Sequence, residues 1–237
     1  MIWCLYIGNR IDLYDTAPRN VEESFFQQYK VKGFKNVRIP VCWDLHTATK
    51  APYTINATWL DTVEEYVDWS LSRNMTTILN THHEKWLDEA GDNFDKKLPR
   101  LLAIWSQIAE RFGGKSPSLI FEIFNEPVKM STAQLNEMNA AVLPVIREKH
   151  PYRIVLFMGL KFGNPSWIAA NNTALHIPDD DGYLMLEVHN YDPWKYAGSN
   201  PTVHEWGSDE DVKTLTNWMD KLQVREPSIS PIFLVLY

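Results

Sequence analysis

The stretch Leu119–Pro127 reads LIFEIFNEP: an apolar run that ends in Asn125, Glu126 and Pro127. A strand buried on both faces reads as a near-continuous apolar run, and a proline, having no N–H for the ladder, stops it. Glu126 is therefore expected at the mouth of something buried, where a carboxylate suits general acid–base work. Such work needs company, and other chemistry-bearing residues stand at comparable places. Arg38 lies in VRIPV, His82 and His83 follow TTILNT, and His189 and Tyr191 follow LMLEV. Each has an ordinary explanation by itself. Arg38 could hold a surface carboxylate, the histidines could form a satisfied polar cap, and Glu126 could favour a helix N-terminus. Four strand ends delivering polar groups to one rim are harder to explain as surface decoration. Adjacent strand residues point to opposite faces, so His82 and His83 are not expected to ligate one metal. No HExxH pattern is present, and neither a metal site nor a cofactor is expected.

The elements that must position these groups alternate along the chain. Strand-like runs occur at Trp3–Ile7, Val37–Val41, Thr76–Thr81, Leu119–Phe124, Arg153–Met158, Tyr183–His189 and Pro231–Tyr237. Between them, Trp59, Leu60, Val63, Tyr66, Val67 and Leu71 repeat at helical spacing, as do Leu101, Leu102, Trp105, Ile108, Ala109 and Phe112. Ser131 with Gln134 forms a capping box opening a helix through Ile146, and Ser208 opens another through Leu222. Strands alternating with helices predict an α/β fold with a parallel sheet. No linker or composition shift divides the chain, so residues 1–237 read as one domain. A dinucleotide-type open sheet needs a glycine-rich turn after its first strand, and GNRIDLYD offers only Gly8. Functional residues at the C-terminal ends of several strands are instead the mark of a (β/α)8 TIM-barrel.

Composition narrows the partners. With 45% apolar and 22% charged residues the chain can bury a large core, and its net charge of −7 with no basic patch argues against nucleic acid. No apolar run approaches the length of a membrane span. The start, MIWCLYIG, is not a signal peptide, while Asn56, Asn74 and Asn171 each begin a glycosylation acceptor pattern, a pointer to secretion. Cys4 and Cys42 are the only cysteines; they either pair across neighbouring strands or remain two buried thiols, the second reading being preferred. The ten tryptophans fall into two groups. Trp59, Trp69, Trp105 and Trp218 belong to helical patterns and Trp3 to the first strand. Trp43, Trp86, Trp167, Trp194 and Trp206 all follow strand C-termini. Aromatics around an acidic cleft suit sugar rings, whose C–H faces stack on an indole; the alternative is a protein-binding patch.

The combination GNRID, GFKNVRIPVCWDLH, ILNTHHE, LPRLLAIWSQIAERF, LIFEIFNEP and VHNYDPW resembles glycoside hydrolase family 5, the cellulase family of retaining β-glycanases, from Gly8 to Leu234. The resemblance implies a barrel and hydrolysis of β-linked polysaccharide or oligosaccharide, endoglucanase-like, by a monomer working outside the cell. It casts Glu126 as general acid/base, Asn125 as the ligand of a sugar 2-hydroxyl, and Arg38 as the cation that keeps the nucleophile ionised. His82, His189 and Tyr191 would line the site, with His83, Trp43 and Trp194 as substrate contacts. Retaining enzymes place two carboxyl groups about 5–5.5 Å apart, and burial keeps the acid protonated.

The second carboxylate is not evident. In the family the nucleophile ends the seventh strand, in a segment resembling P-I-[FY]-L-G-E-F-G; here Pro231–Tyr237 reads PIFLVLY, with Val235 in place of Gly and Leu236 in place of Glu. Neither Glu187, one pleat deeper than His189, nor Asp192, beyond the rim, has a clear claim to substitute. The expectation is therefore an incomplete barrel of about seven strands, with the eighth strand and the nucleophile missing from the sequence through truncation. An inactive β-glucan-binding relative is the alternative.

Overall fold

The computed structural model describes residues 5–6, 21–171, 173–178, 180–191, 193–197, 200–223 and 232–236. Cys4, the GNRID motif and Asp192 lie outside these residues. Among the described residues seven strands make one sheet: β1 (Leu5–Tyr6), β2 (Asn36–Ile39), β3 (Thr76–Asn80), β4 (Leu119–Glu122), β5 (Val155–Met158), β6 (Leu184–Asn190) and β7 (Ile232–Leu236). Their spatial order is their chain order, and every neighbouring pair is parallel. A doubly wound sheet reverses order at a switch point; this one never does, so it is the wall of an incomplete (β/α)8 barrel. Among the described residues β1 and β7 pair on one side only.

The helices form where the apolar spacing places them. Ala57–Leu71 buries Trp59, Val63, Tyr66, Val67 and Ser70 on one face, and Asn56 caps it by accepting the Trp59 N–H at 3.2 Å. Phe94–Arg111 buries Phe94, Leu98, Leu101, Ile104, Trp105 and Ile108. Thr132–Lys149 opens on a complete capping box, the Ser131 hydroxyl accepting the Gln134 N–H while the Gln134 side chain accepts the Ser131 N–H. Asp209–Gln223 follows Ser208 as expected. The helix Glu23–Val31 escapes sequence reading because only Phe26 is buried on it, which leaves little apolar periodicity.

Alternation along the strands divides the barrel wall into two faces. Val37, Ile39, Leu79, Phe121, Val155, Phe157, Leu186 and Val188 join the large core against the helices. The intervening residues form an inner stack. Its floor is a separate apolar cluster of Ile78, Ile120, Leu156 and Met185, one from each of four consecutive strands. Two residues further along each strand the chemistry changes. Asn80 pairs with Glu122 in the ladder, and Met158 pairs with Glu187. The polar groups thus sit on an apolar plug and face the C-terminal rim.

Candidate active site

Glu126 is held by its backbone before any side chain touches it. β4 ends at Glu122, ahead of Pro127, and the next residues turn across the rim, the Asn125 N–H donating to Thr81 O at 3.0 Å. Glu126 then adopts φ 47°, a left-handed conformation that costs a non-glycine residue about 1–3 kcal/mol and concentrates at functional sites. Its N–H donates to Met158 Sδ at 3.0 Å. The carboxylate itself is half-buried. His189 Nδ1 lies 2.7 Å from Oε1, and the Tyr191 hydroxyl donates to the same oxygen at 2.8 Å.

His189 is fully enclosed and stands between two carboxylates, its Nε2 lying 3.3 Å from Glu187 Oε1. An imidazole with an acceptor on each nitrogen is a double donor, which is the protonated form. Burial works against that charge, but the hydrogen bonds and charges of Glu126 and Glu187 outweigh it and raise its pKa. Burial likewise pushes Glu126 up; His189, then Tyr191 and Arg38, overcome it and bring the carboxyl below its ordinary value. In this arrangement Glu126 is an ionised base, although burial by itself favours the protonated form.

Beneath lies a buried polar tier. Arg38 grips Glu122 with two hydrogen bonds, Nε to Oε2 at 2.7 Å and Nη2 to Oε1 at 2.6 Å, and Nη2 also donates to Asn125 Oδ1 at 2.6 Å. Asn80 adds a donor to Glu122 at 3.0 Å. Arg38 stands 3.9 Å from Glu187, whose carboxyl is pushed up by burial and by the Glu122 charge. Arg38 therefore fixes the orientation of Asn125 and neutralises Glu122. Sequence reading missed Glu122 and Asn80, since one polar residue within an apolar run does not reveal which way it points.

The other expected site residues separate. His82 is buried, with Nδ1 3.1 Å from the Asn80 amide, and its pKa is driven well down by burial and then by Arg38. His83 has φ 57°, so it is not in extended strand geometry, and its ring meets that of His82 edge-on at 4.2 Å. Trp43 is 0% exposed, and its indole N–H donates to Asn80 O at 2.9 Å. It therefore presents no face to a substrate; it is a bolt between the ends of β2 and β3. Trp86 and Trp167 are half-buried against the core, whereas Trp194 is 58% exposed and Trp206 also faces solvent. Glu84, to which no role was assigned, is fully buried where it accepts the Trp43 N–H at 2.7 Å and the Trp86 indole N–H. Burial, only partly offset by those two bonds, raises it to about 7.

A cavity of about 480 Å³ opens on this constellation, lined by Glu126, His189, Tyr191 and Trp194 on one part and by Lys161, Phe162 and Asn164 on the other. The last three come from the β5 loop and were not anticipated from sequence. Glu126 is the only carboxylate among the described lining residues; Glu122 and Glu187 are sealed below. Cys42 is buried.

A wall of parallel (β/α) units thus brings a carboxylate, an imidazole and a tyrosine together at its C-terminal rim. The chain belongs to the cellulase family, glycosyl hydrolase family 5, whose family model matches residues 8–225. It is 41% identical over 218 residues to Endoglucanase H of Acetivibrio thermocellus, covering 90% of this chain and 23% of that protein. Among solved structures it is similar to a tri-modular family 5 (subfamily 4) endo-β-1,4-glucanase from Bacillus licheniformis, with TM-score 0.88 and 33% identity over 98% of this chain and 47% of that one. The same enzyme complexed with cellotetraose matches with TM-score 0.87. The chain thus spans from about a quarter to about half of the length of these relatives. No helix among the described residues is long and apolar enough to cross a membrane.

Proposed function

We propose that this chain recognises β-1,4-linked glucan outside the cell and that Glu126 is the acid/base of a retaining, endo-acting displacement. The observation that carries the reading is that Glu126 lines the cavity with both of its described donors on Oε1, which leaves Oε2 for a glycosidic oxygen. Arg38 occupies Asn125 Oδ1, so the amide's N–H donors are available to a sugar hydroxyl. Tyr191 and His189 orient the carboxylate, and Trp194 offers a stacking face.

Retention also needs a nucleophile about 5–5.5 Å from the acid. Glu122 is committed to Arg38, Glu187 lies beneath the His189 ring, and Leu236, opposite Asn190 in the ladder, holds the register where the family's glutamate is expected. A neighbouring carboxylate would also raise Glu126 by like-charge repulsion and so make it an acid. Residues 1–237 alone are accordingly read as binding glucan without turnover. The specific support for such a binding role is that His189 and Tyr191 hold Glu126 ionised.

The test uses purified 1–237 with an activated aryl β-cellobioside and soluble glucan, beside a chimera that continues from Leu234 with the matching segment of Endoglucanase H. Binding without turnover in the first, and turnover in the second that Glu126→Gln abolishes, is the expected result. Turnover by 1–237 that Glu126→Gln removes would show another carboxylate acting as nucleophile. Absence of glucan binding would overturn the whole reading.

A further inference from the structure

We propose that Glu187, buried beneath His189, is a positioning residue for the acid/base: it keeps the His189 imidazole a double donor and so stores a proton beside Glu126. The inference rests on the acid/base reading above and deepens it. Glu187 stands in β6 two residues before His189, on the same face of the strand, and is 0% exposed. Its Oε2 has no hydrogen-bond partner among the described residues, so the carboxyl is sealed in with one of its two oxygens unused. Such a group weakens the fold, and a leucine would fill the place without that cost. Arg38 does not explain it. The guanidinium already holds both oxygens of Glu122, at 2.7 and 2.6 Å, and stands 3.9 Å from Glu187. What Glu187 does touch is His189 Nε2, at 3.3 Å.

The groups that face this pair come from the neighbouring strands. Arg38 of β2 and His82, just after β3, oppose a charge on the ring, while Glu126, beyond β4, favours it. Glu122 of β4 opposes a charge on Glu187. Met158 of β5 and Phe233 of β7 flank Glu187 in the ladder, and Val235 of β7 flanks His189; none of the three titrates. Burial lowers His189, the bond to Glu126 raises it, and Glu187 raises it twice over, by its own bond and by its charge. Glu126 therefore has a proton within reach that solvent need not deliver. As the His189 Nδ1–H bond breaks, its electron pair stays on Nδ1 and the proton crosses 2.7 Å to the Glu126 carboxylate. A neutral carboxyl results, beside a neutral ring whose remaining N–H still donates to Glu187 Oε1. The reverse transfer restores the carboxylate that must later accept a proton from water. Acid and base forms alternate by moving one proton inside a pair, and the pH up to which the pair keeps that proton depends on Glu187.

The test is an NMR titration of residues 1–237, which needs no glucan. Glu187→Gln keeps the shape and an acceptor oxygen but removes the charge, and the midpoint of the His189 ring should fall by about one pH unit. In the parent, the Glu187 carboxyl carbon should respond at the pH where the ring titrates, a readout that stands even where the variant fails to fold. A folded Glu187→Gln with the parent's midpoint, or a Glu187 carbon blind to the ring, would overturn the inference. Its consequence for the reaction is read in the chimera carrying the Endoglucanase H segment. There Glu187→Gln should move the alkaline limb of kcat/KM on soluble glucan down with the ring's midpoint. An activated aryl β-cellobioside, whose phenolate leaves without a proton, should be cleaved as before. Equal loss on both substrates would leave Glu187 a structural role only and overturn the proposal. A parent chimera without turnover on either substrate would overturn the acid/base reading itself and this inference with it.

Discussion

At the scale of the residue, His189 is the pivot of the site. It satisfies Glu126 above and Glu187 below, and each carboxylate favours the imidazolium that burial disfavours. Its contribution to stability is present below the ordinary imidazole range and fades as pH rises through its raised folded value. Glu126 behaves oppositely, its contribution fading as pH falls through its lowered folded value. An NMR titration of the His189 ring should therefore show a midpoint above the usual 6.5, and Glu126→Gln should move it down, since burial then has less opposition. An unmoved midpoint would mean that the pairing contributes nothing. Arg38, Asn125, Glu126, His189 and Tyr191 were legible in the sequence because each stands in or just after an apolar run. Trp43 also follows a strand, but its ring turns inward, where Asn80 O takes its N–H. Position after a strand does not encode which way a side chain folds.

At the scale of the element, local signals carried most of the fold. Strands buried on both faces announce themselves as apolar runs, and the Ser131 capping box is readable letter by letter. Ser131→Ala should cost about 1 kcal/mol in chemical denaturation, with Ser131→Asp retaining most of it. A loss near zero would show that tertiary contacts alone set that helix start. The Lys161–Gly163 turn was illegible for the opposite reason: a left-handed lysine and phenylalanine break the backbone preference from which sequence reading proceeds. The short strand β4 shows a milder version. Its apolar letters run on to Phe124, but the chain leaves the ladder after Glu122 in order to swing Asn125 and Glu126 over the rim.

At the scale of the whole molecule, sequential parallel order was expected from strand–helix alternation, and the sheet has it. What alternation could not reveal is the vertical division of the barrel interior, because stacking depends on register between strands distant in sequence. Ile78 meets Ile120, Asn80 meets Glu122, and Met158 meets Glu187, so apolar and ionisable layers assemble from four strands at once. That layering makes folding a proton-transfer event between protein and buffer. Glu126 and Glu187 raise His189 against its own burial, burial raises Glu187 and brings Glu84 to about 7, and burial lowers His46, His82, His83 and His150, so the native and unfolded chains hold hydrogen ions at different groups. Above the ordinary imidazole range the four lowered histidines are neutral in both states, so there stability should decline as pH rises through the raised value of His189; within that range they oppose the loss, because unfolding lets them take up protons. The apparent unfolding enthalpy should also differ between phosphate and Tris at one pH, since the buffer that absorbs or supplies the exchanged protons adds its own ionisation heat. Matching enthalpies in the two buffers would mean that the layered interior exchanges no protons with its surroundings when it comes apart.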